Sequence, residues 1–404
     1  MNMQNNFTLF NPPFYTLFFE MIFVMITIKN GLVLTGHTLK AIETNVIIND
    51  EGRIIKLSPN YEEGEIIDAT NCIVLPAFIN AHIHIGDSIS RDVGDGLSIQ
   101  ELVEPPNGLK HQILRKASDN EIIESMHETA KEMLYSGTST FIDFREGGIK
   151  GINLLKQAIY DLPINACILG RSDKYYDPTT TPEEARLITR ELLQHCDGIG
   201  LSGVQDVDPE IMLQIAEVCN QEDKLAVIHV AEYYQLQEQS VQLTNQTEIE
   251  RALKAGFTTL VHATHPILQD LDLLDSTSPV VVACPRSNGM LSVGIPPVSA
   301  YVENDIDVAL GTDNVMFNQP DMFREMEYTL KAVRASYQNK ITAYDVLKMA
   351  TINGFKILGK DISIKEGNIS DILIIKRKSD DPYLSIVNRS SPEDIVNFIM
   401  GNQM

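Results

Sequence analysis

The chain has 404 residues, 44% hydrophobic and 22% charged, the balance of an ordinary globular enzyme long enough to bury a sizeable core. A formal net charge of −23 speaks against nucleic acid or an anionic membrane as partner, since both require a basic footprint. The five cysteines (Cys72, Cys167, Cys196, Cys219 and Cys284) are scattered without C-x-x-C pairing, which argues against a disulfide framework or a thiolate zinc site and for a reducing, cytoplasmic setting.

Residues 1–25 form an atypical N-terminal extension. The apolar run 14-FYTLFFEMIFVMITI-28 is interrupted by Glu20, has no basic segment before it and no small-residue cleavage site after it, and is short for a membrane span. The favoured expectation is that translation starts at Met21 or Met25, a hydrophobic anchor being the alternative. Residues 26–76 read as short strands broken by polar turns, among them ITIKNGLVL, TNVIIND and GRIIKLS. Residues 360–404 add a turn and strand in 365-KEGNISDILIIK-376 and a last strand in IVNFIM. Neither end has enough apolar surface for its own core, so the two are expected to pair into one small β-sandwich.

Residues 77–359 alternate strands with helices. Eight apolar runs occur in order: AFINAHI, TSTFIDF, INACILG, GIGLSG, LAVIHV, TTLVHAT, PVVVACP and IDVALGTD. Amphipathic stretches such as 119-DNEIIESMHETAKEML-134, 182-PEEARLITRELLQHC-196 and 209-PEIMLQIAEVCN-220 separate most of them. Near-continuous apolar strands alternating with helices predict a parallel sheet covered on its outer face. Eight such units predict an α/β protein of the (β/α)8 TIM-barrel type carrying the two-ended β-sandwich.

Active sites of such barrels form at the C-terminal ends of the strands, and polar residues gather there in this sequence. His82 and His84 end strand one and share a face by the strand's period of two; taken alone, such a pair fits either a metal site or two unrelated buried histidines. Arg145 ends strand two, Arg171 follows strand three, His229 and Glu232 close strand five, His262 closes strand six, Arg286 and Asn288 follow strand seven, and Asp313 ends strand eight. Three imidazoles and a carboxylate, His82, His84, His229 and Asp313, are the donors a hydrolytic zinc, iron or manganese site uses with one position left for water. Glu232, three residues beyond His229, is placed to move protons beside it.

The H-x-H on strand one, 229-HVAE-232, the VHATH of strand six, 284-CPRSN-288 and 311-GTDN-314 occur in the order found in the amidohydrolase superfamily, and the chain resembles its cytosine-deaminase and nucleoside-deaminase branch over roughly residues 26–391. The resemblance implies one divalent metal, zinc before iron or manganese, on His82, His84, His229 and Asp313. It also implies a Glu232 that shuttles protons to a ring nitrogen, and a strand-six histidine that orients the attacking water. Asp313 would accept a proton from that water. His262 and His265 compete for the strand-six role, and strand alternation favours His262. Binuclear branches carry a bridging lysine after strand four, where this chain has 198-GIGLSGVQD-206 with Ser202 and no lysine. One metal, and deamination over ring opening, follow from that departure.

The resulting expectation is a metal-dependent aminohydrolase acting on a small nitrogen heterocycle: a pyrimidine, a purine or nucleoside, or a pterin-like ring. An amidase opening a cyclic amide or imidazolone-like ring is the alternative on the same scaffold, and a metal-free, non-catalytic relative is the third. Asp87 and Lys110, in a long segment (85–118) expected to form an irregular lid, join Arg145, Arg171, Arg286 and Asn288 as candidate substrate contacts. The arginines could equally pair with Asp143 and Glu146. The sequence leaves a homo-oligomer open.

Overall fold

The computed structural model describes residues 8–10, 25–103, 107–267, 269–337 and 341–401. Most of the apolar run that raised the question of the start site lies outside the described residues. A short strand, Thr8–Phe10, pairs antiparallel with the end of Ile395–Met400.

The centre of the molecule is a curled parallel sheet of nine strands: β1 (Phe78–His84), β2 (Thr138–Arg145), β3 (Asn165–Gly170), β4 (Gly198–Leu201), β5 (Leu225–Val230), β6 (Thr259–His262), β7 (Val280–Ala283), β8 (Val308–Leu310) and β9 (Asp313–Asn314). Each strand from β1 to β8 hydrogen-bonds to the next, and β9 pairs in parallel with the end of β1, Asp313 opposite Ile83 and Asn314 opposite His84. The two edges of the sheet, β8 and β9, are thus consecutive in the chain, with only Gly311 and Thr312 between them. Gly311 is required there. A Cβ at that position would lie 2.7 Å from the His82 Cβ and 2.8 Å from its backbone N and O, so any side chain would push β9 off β1. Asn80 holds the same corner: its side-chain oxygen accepts from Thr312 N–H at 3.0 Å and its amide donates to the Thr312 hydroxyl at 2.6 Å.

The helices between the strands begin where the sequence offers caps. Ser118 and Glu121 form a reciprocal capping box ahead of Asp119–Tyr135, as do Thr181 and Glu184 ahead of Pro182–Leu193, and the Asp208 carboxylate caps Pro209–Gln221. Each lays an apolar stripe on the sheet. In the first of them Met126, Ala130, Met133 and Leu134 are buried, the spacing of one helical face. All seven residues of β1 and all eight of β2 are buried, as expected of strands with side chains packed on both faces.

The chain ends contribute two further sheets. One has six strands, in the order Thr8–Phe10, Ile395–Met400, Ile372–Lys376, Cys72–Pro76, Leu32–Thr35, Lys40–Glu43, so the two C-terminal strands lie between N-terminal ones and hydrogen-bond directly to them. The other has four strands, Ile54–Leu57, Val46–Ile48, Ile26–Lys29, Glu65–Asp68. Ile26, Ile28, Val46 and Ile48 of the smaller sheet and Val74, Ile372, Ile374 and Ile399 of the larger form one apolar cluster separate from that of the central sheet.

Two local expectations are corrected. Segment 85–118 is not irregular: it contains a 3-10 turn, Ile85–Ser90, and helices Ile99–Val103 and Leu109–Lys116. At five to eight residues these are too short for a helical period to stand out in the sequence. The C-terminal segment also holds a helix, Pro382–Arg389, capped by Asp381, between its two strands.

Candidate active site

β1 delivers His82 and His84 to the same side, with ring centroids 4.9 Å apart. His82 Nε2 lies 3.1 Å from Asp313 Oδ1 and 3.2 Å from His229 Nε2, and His84 Nε2 lies 3.5 Å from Asp313 Oδ1. Ligating atoms of His82, His229, His262 and Asp313 all fall within 4.8 Å of one another, and all four residues are buried. His84 stands at the edge of this set, its ring stacked on that of His229 at 5.6 Å. Five side chains from β1, β5, β6 and β9 thereby converge on one point at the C-terminal mouth of the sheet.

The donors are in the form a metal requires. Among the described residues the partner of His229 Nδ1 is the Leu201 carbonyl at 2.8 Å; a carbonyl can only accept, so Nδ1 carries the proton and Nε2 turns its lone pair to the centre. Burial pushes the His82 imidazole down to about 4, and burial together with neighbouring imidazoles holds His229 well below its ordinary value, so both are neutral near pH 7. Burial alone would raise Asp313, but its contact with His82 and the surrounding rings hold it well below the usual carboxylate range. Its second oxygen accepts from the Ser287 hydroxyl. Two neutral imidazole nitrogens facing each other at 3.2 Å beside a carboxylate are poorly matched as a hydrogen-bonded cluster. They fit a divalent metal held by nitrogen and oxygen.

Above this set stand Glu232 and His262. Ala231, the residue before Glu232, has φ +49°, and His262, Ala263 and Asp313 have φ of +69°, +44° and +59°. Left-handed backbone at residues bearing a Cβ is uncommon and costly, and such residues cluster at functional sites. Ala231 makes its bend directly before Glu232, while His262 and Asp313 are themselves left-handed at the end of β6 and the start of β9, and Glu232, His262 and Asp313 all line the mouth. His262 Nδ1 donates to the Asn288 side-chain oxygen at 3.0 Å, which aims Nε2 at the cavity, 3.7 Å from Glu232 Oε1. Burial raises the Glu232 carboxyl. His265 instead donates from Nε2 to the Val293 carbonyl at 2.6 Å in the loop, so the structure brings His262 and not His265 to the cluster.

The cavity over the cluster is lined by His84, His229, His262, Asp313 and Glu232, and further out by Lys110, His111, Arg171, Ser202, Asp206, Tyr233 and Phe317. Of the six candidate substrate contacts, Lys110 and Arg171 line it and four do not. Arg145 is buried against Glu146 at 2.8 Å and Asp143 at 3.8 Å. Arg286 turns away to Glu325 and the Gln319 carbonyl. Asn288 is spent on His262 and, through its amide, on the Thr264 hydroxyl at 2.6 Å. Asp87 accepts from Lys110 at 2.9 Å beneath the surface. The reason is common to all four: each finds a buried partner of complementary charge or hydrogen-bonding sense, which the sequence cannot reveal.

His84, Asp87 and Glu146 could on proximity alone hold a second cation. Lys110 and Arg171 already occupy that position, donating to Glu146 at 3.2 and 2.7 Å, so it is a compensated charge network. After β4, Ser202 donates to Asp206 at 2.7 Å. Cys284 is buried, its thiol pushed well up by burial, as suits a packing residue and not a nucleophile. Ser287, Thr264, Asn80 and Glu248, which brace the site, escaped the sequence reading. Ser287 inside CPRSN, Thr264 inside VHATH and Asn80 inside AFINAHI stood in stretches that could have drawn notice, whereas Glu248 stood in none.

Residues 73–402 match the model of the amidohydrolase family. The chain belongs to the amidohydrolase family. This amidohydrolase is 43% identical to a protein of Methanothermobacter thermautotrophicus provisionally named an aminohydrolase, over 94% of this chain and 99% of that one. It is 27% identical to a 5′-deoxyadenosine deaminase of Methanosphaera stadtmanae, covering 86% and 81% of the two chains. Its fold superposes on a zinc-bound adenosine deaminase of Xanthomonas campestris with a TM-score of 0.78 at 19% identity, over 92% of this chain and 90% of that one. The amidohydrolase is an enzyme that hydrolyses C–N bonds, and its histidine and aspartate cluster supports a divalent metal in that reaction. Among the described residues no helix is long and apolar enough to cross a membrane.

Proposed function

We propose that this amidohydrolase is an aminohydrolase that removes an amino group from a small nitrogen heterocycle of the pyrimidine, purine, nucleoside or pterin kind. The observation that carries the reading is the placement of Glu232, whose carboxyl is raised by burial and stands 3.7 Å from His262 Nε2 directly over the His82, His229 and Asp313 cluster. In this reading His82, His84, His229 and Asp313 hold one divalent ion, most simply zinc. A metal so held lowers the pKa of water enough for hydrolysis near neutrality.

The chain's own groups do the rest. Glu232 retains a proton to higher pH than an exposed glutamate and delivers it to the ring nitrogen as water adds to the adjacent amidine carbon; ammonia then departs. Asp313 takes a proton from the attacking water and passes it to the amino group, which leaves as ammonia, while the hydroxyl proton of the adduct returns to Glu232 as the carbonyl forms. His262, fixed by Asn288 with Nε2 toward the cavity, donates to or accepts from the incoming oxygen. Lys110 and Arg171 present donors to an electron-rich edge of the substrate. Ser202, committed to Asp206, leaves the mouth of β4 without a bridging ligand, which supports a single ion.

The fold reading that accompanies this function is a closed (β/α)8 barrel over residues 77–359, sealed by β9 on β1, with a β-sandwich from residues 26–76 and 360–404. The shared apolar cluster of the two end sheets supports it. The names of the relatives from Methanosphaera and Xanthomonas favour a purine nucleoside within the proposed class.

The test is elemental analysis of the purified protein joined to an ammonia-release screen over pyrimidines, purines, nucleosides and pterins. About one zinc, iron or manganese per chain with ammonia from one ring class is the expected result. Turnover without ammonia would transfer the reading to a cyclic-amide hydrolase, and absence of metal after reconstitution would overturn it.

A further inference from the structure

The bend that aims Glu232 is held from outside the motif that contains it. Ala231 sits in the left-handed region at φ +49°, a conformation unfavourable for a residue with a Cβ. Its peptide groups are gripped on both sides. The Ala231 carbonyl accepts from Thr264 N–H at 3.0 Å and His265 N–H at 3.1 Å, and the Ala231 N–H donates to Glu248 Oε2 at 2.7 Å.

Glu248 is itself tightly placed. It is 1% exposed and opens the helix Glu248–Ala255, where the positive end of the helix dipole favours a carboxylate. Its N–H donates to Gln237 Oε1 at 2.8 Å, and Gln237 Nε2 donates in turn to Asp270 Oδ2 at 2.9 Å and to the His265 carbonyl at 3.0 Å. The loops leaving β5 and β6 are therefore stitched together through one buried network, and Glu248 is the member that reaches the residue next to Glu232.

We propose that Glu248 is a positioning residue for the reaction: by accepting the Ala231 N–H it holds the left-handed bend that places the Glu232 carboxyl over the metal cluster. The inference rests on Glu232 being the proton carrier. Burial lifts the Glu248 carboxyl to about 7, so this position already tolerates a neutral acceptor near physiological pH. Glutamine is therefore the conservative replacement, its amide oxygen able to accept the same N–H.

The experiment compares wild type, E248A, E248Q and E232Q as metal-loaded full-length proteins. Its probe is the base or nucleoside giving the fastest ammonia release in the screen above. A misplacement of about 1 Å at a proton-transfer group lowers rate by about 10²-fold. E248A is accordingly expected to lose about that factor in kcat, with KM within about threefold and metal content unchanged, and E248Q to recover most of it. Should E248A fail to fold, E248D, whose carboxylate is one methylene short of Ala231, makes the same comparison. A kcat unchanged in E248A, a change confined to KM, or an E248Q as impaired as E248A would overturn the inference. Full activity in E232Q would overturn the Glu232 reading beneath it. Loss in E232Q with full activity in E248A would overturn this inference alone.

Discussion

Every imidazole in the cluster has a second nitrogen, and where that nitrogen points decides what the ring can do. His229 gives its Nδ1 proton to Leu201 and His262 gives its own to Asn288, so both present Nε2 to the mouth. His82 Nδ1 has no hydrogen-bond partner among the described residues, whereas His84 Nδ1 lies 3.5 Å from Glu146 Oε1. The geometry leaves His84 and His262 as competitors for the last ligand position, and paired substitutions separate them. His84→Ala is expected to purify with little metal, whereas His262→Ala retains about one ion per chain and loses kcat by about 10² to 10⁴, the usual worth of a group acting on protons in the transition state. The reverse pattern of metal content would make His262 the ligand. Asn288→Leu removes the acceptor that orients His262; kcat is expected to fall about 10- to 100-fold with metal retained, because outer partners tune a site by that much. At this scale the sequence was legible wherever a residue acts through its position on a strand. The H-x-H pair, His229, Glu232 and Asp313 all stand where period and strand end put them. It was illegible wherever a residue acts through a partner distant in sequence. Asn288 looked like a substrate contact because it follows β7, and only its 3.0 Å approach to His262, 26 positions away, shows otherwise.

The segment after β1 lines the cavity through Val103, Lys110 and His111, and its anchor is a lysine. Lys110, on the helix Leu109–Lys116, is 4% exposed and sits between Asp87 and Glu146, while Glu146 also takes Arg145 and Arg171. With Asp143 3.8 Å from Arg145, the network sets three cations against three carboxylates. Removing one member leaves a buried charge without compensation, which typically costs about 3–5 kcal/mol, while removing a matched pair is far milder. Lys110→Met is expected to destabilise the protein by about that amount in urea titration at pH 7, and the double variant K110M/D87L to recover most of it. Additive losses would show that the pair is not coupled. Lys110 and His111 of this segment line the cavity, and the sequence described the segment as irregular. Three short helical turns, two of them joined by the buried Lys110–Asp87 ion pair, lack the length over which a period becomes readable. The long helices were plain because their caps and stripes are local, as in Ser118 with Glu121 ahead of the buried Met126, Ala130 and Met133.

For the whole molecule the pairing of the two chain ends could be anticipated from a deficit, since neither end had apolar residues enough to make a core, and Ile372–Lys376 indeed lies against Cys72–Pro76. The strand order within those sheets could not, because every candidate strand there is short and apolar and alternation fits several partners equally. The large negative charge also has a consequence at this scale, since several carboxylates are buried with little to offset them. Glu325, completely buried, is lifted to about 7 by burial, with Arg286 only partly opposing at 3.6 Å. The folded state therefore keeps a proton that the unfolded chain, at an ordinary glutamate value near 4.5, releases. Stability from this group is whole below about pH 4.5, declines as pH rises through the interval up to about 7, and above that the full penalty remains. The difference between the two values corresponds to about 3 kcal/mol. Asp371, lifted to about 6 by burial, acts in the same direction over a lower interval. Glu325→Gln keeps a side-chain oxygen to accept the Arg286 N–H and cannot ionise. Denaturant midpoints measured from pH 5 to pH 8 for variant and wild type at one metal concentration are expected to be close at pH 5 and to diverge steadily in the variant's favour. A variant equally displaced at every pH would mean that Glu325 does not titrate in this range and that its burial is compensated within the fold.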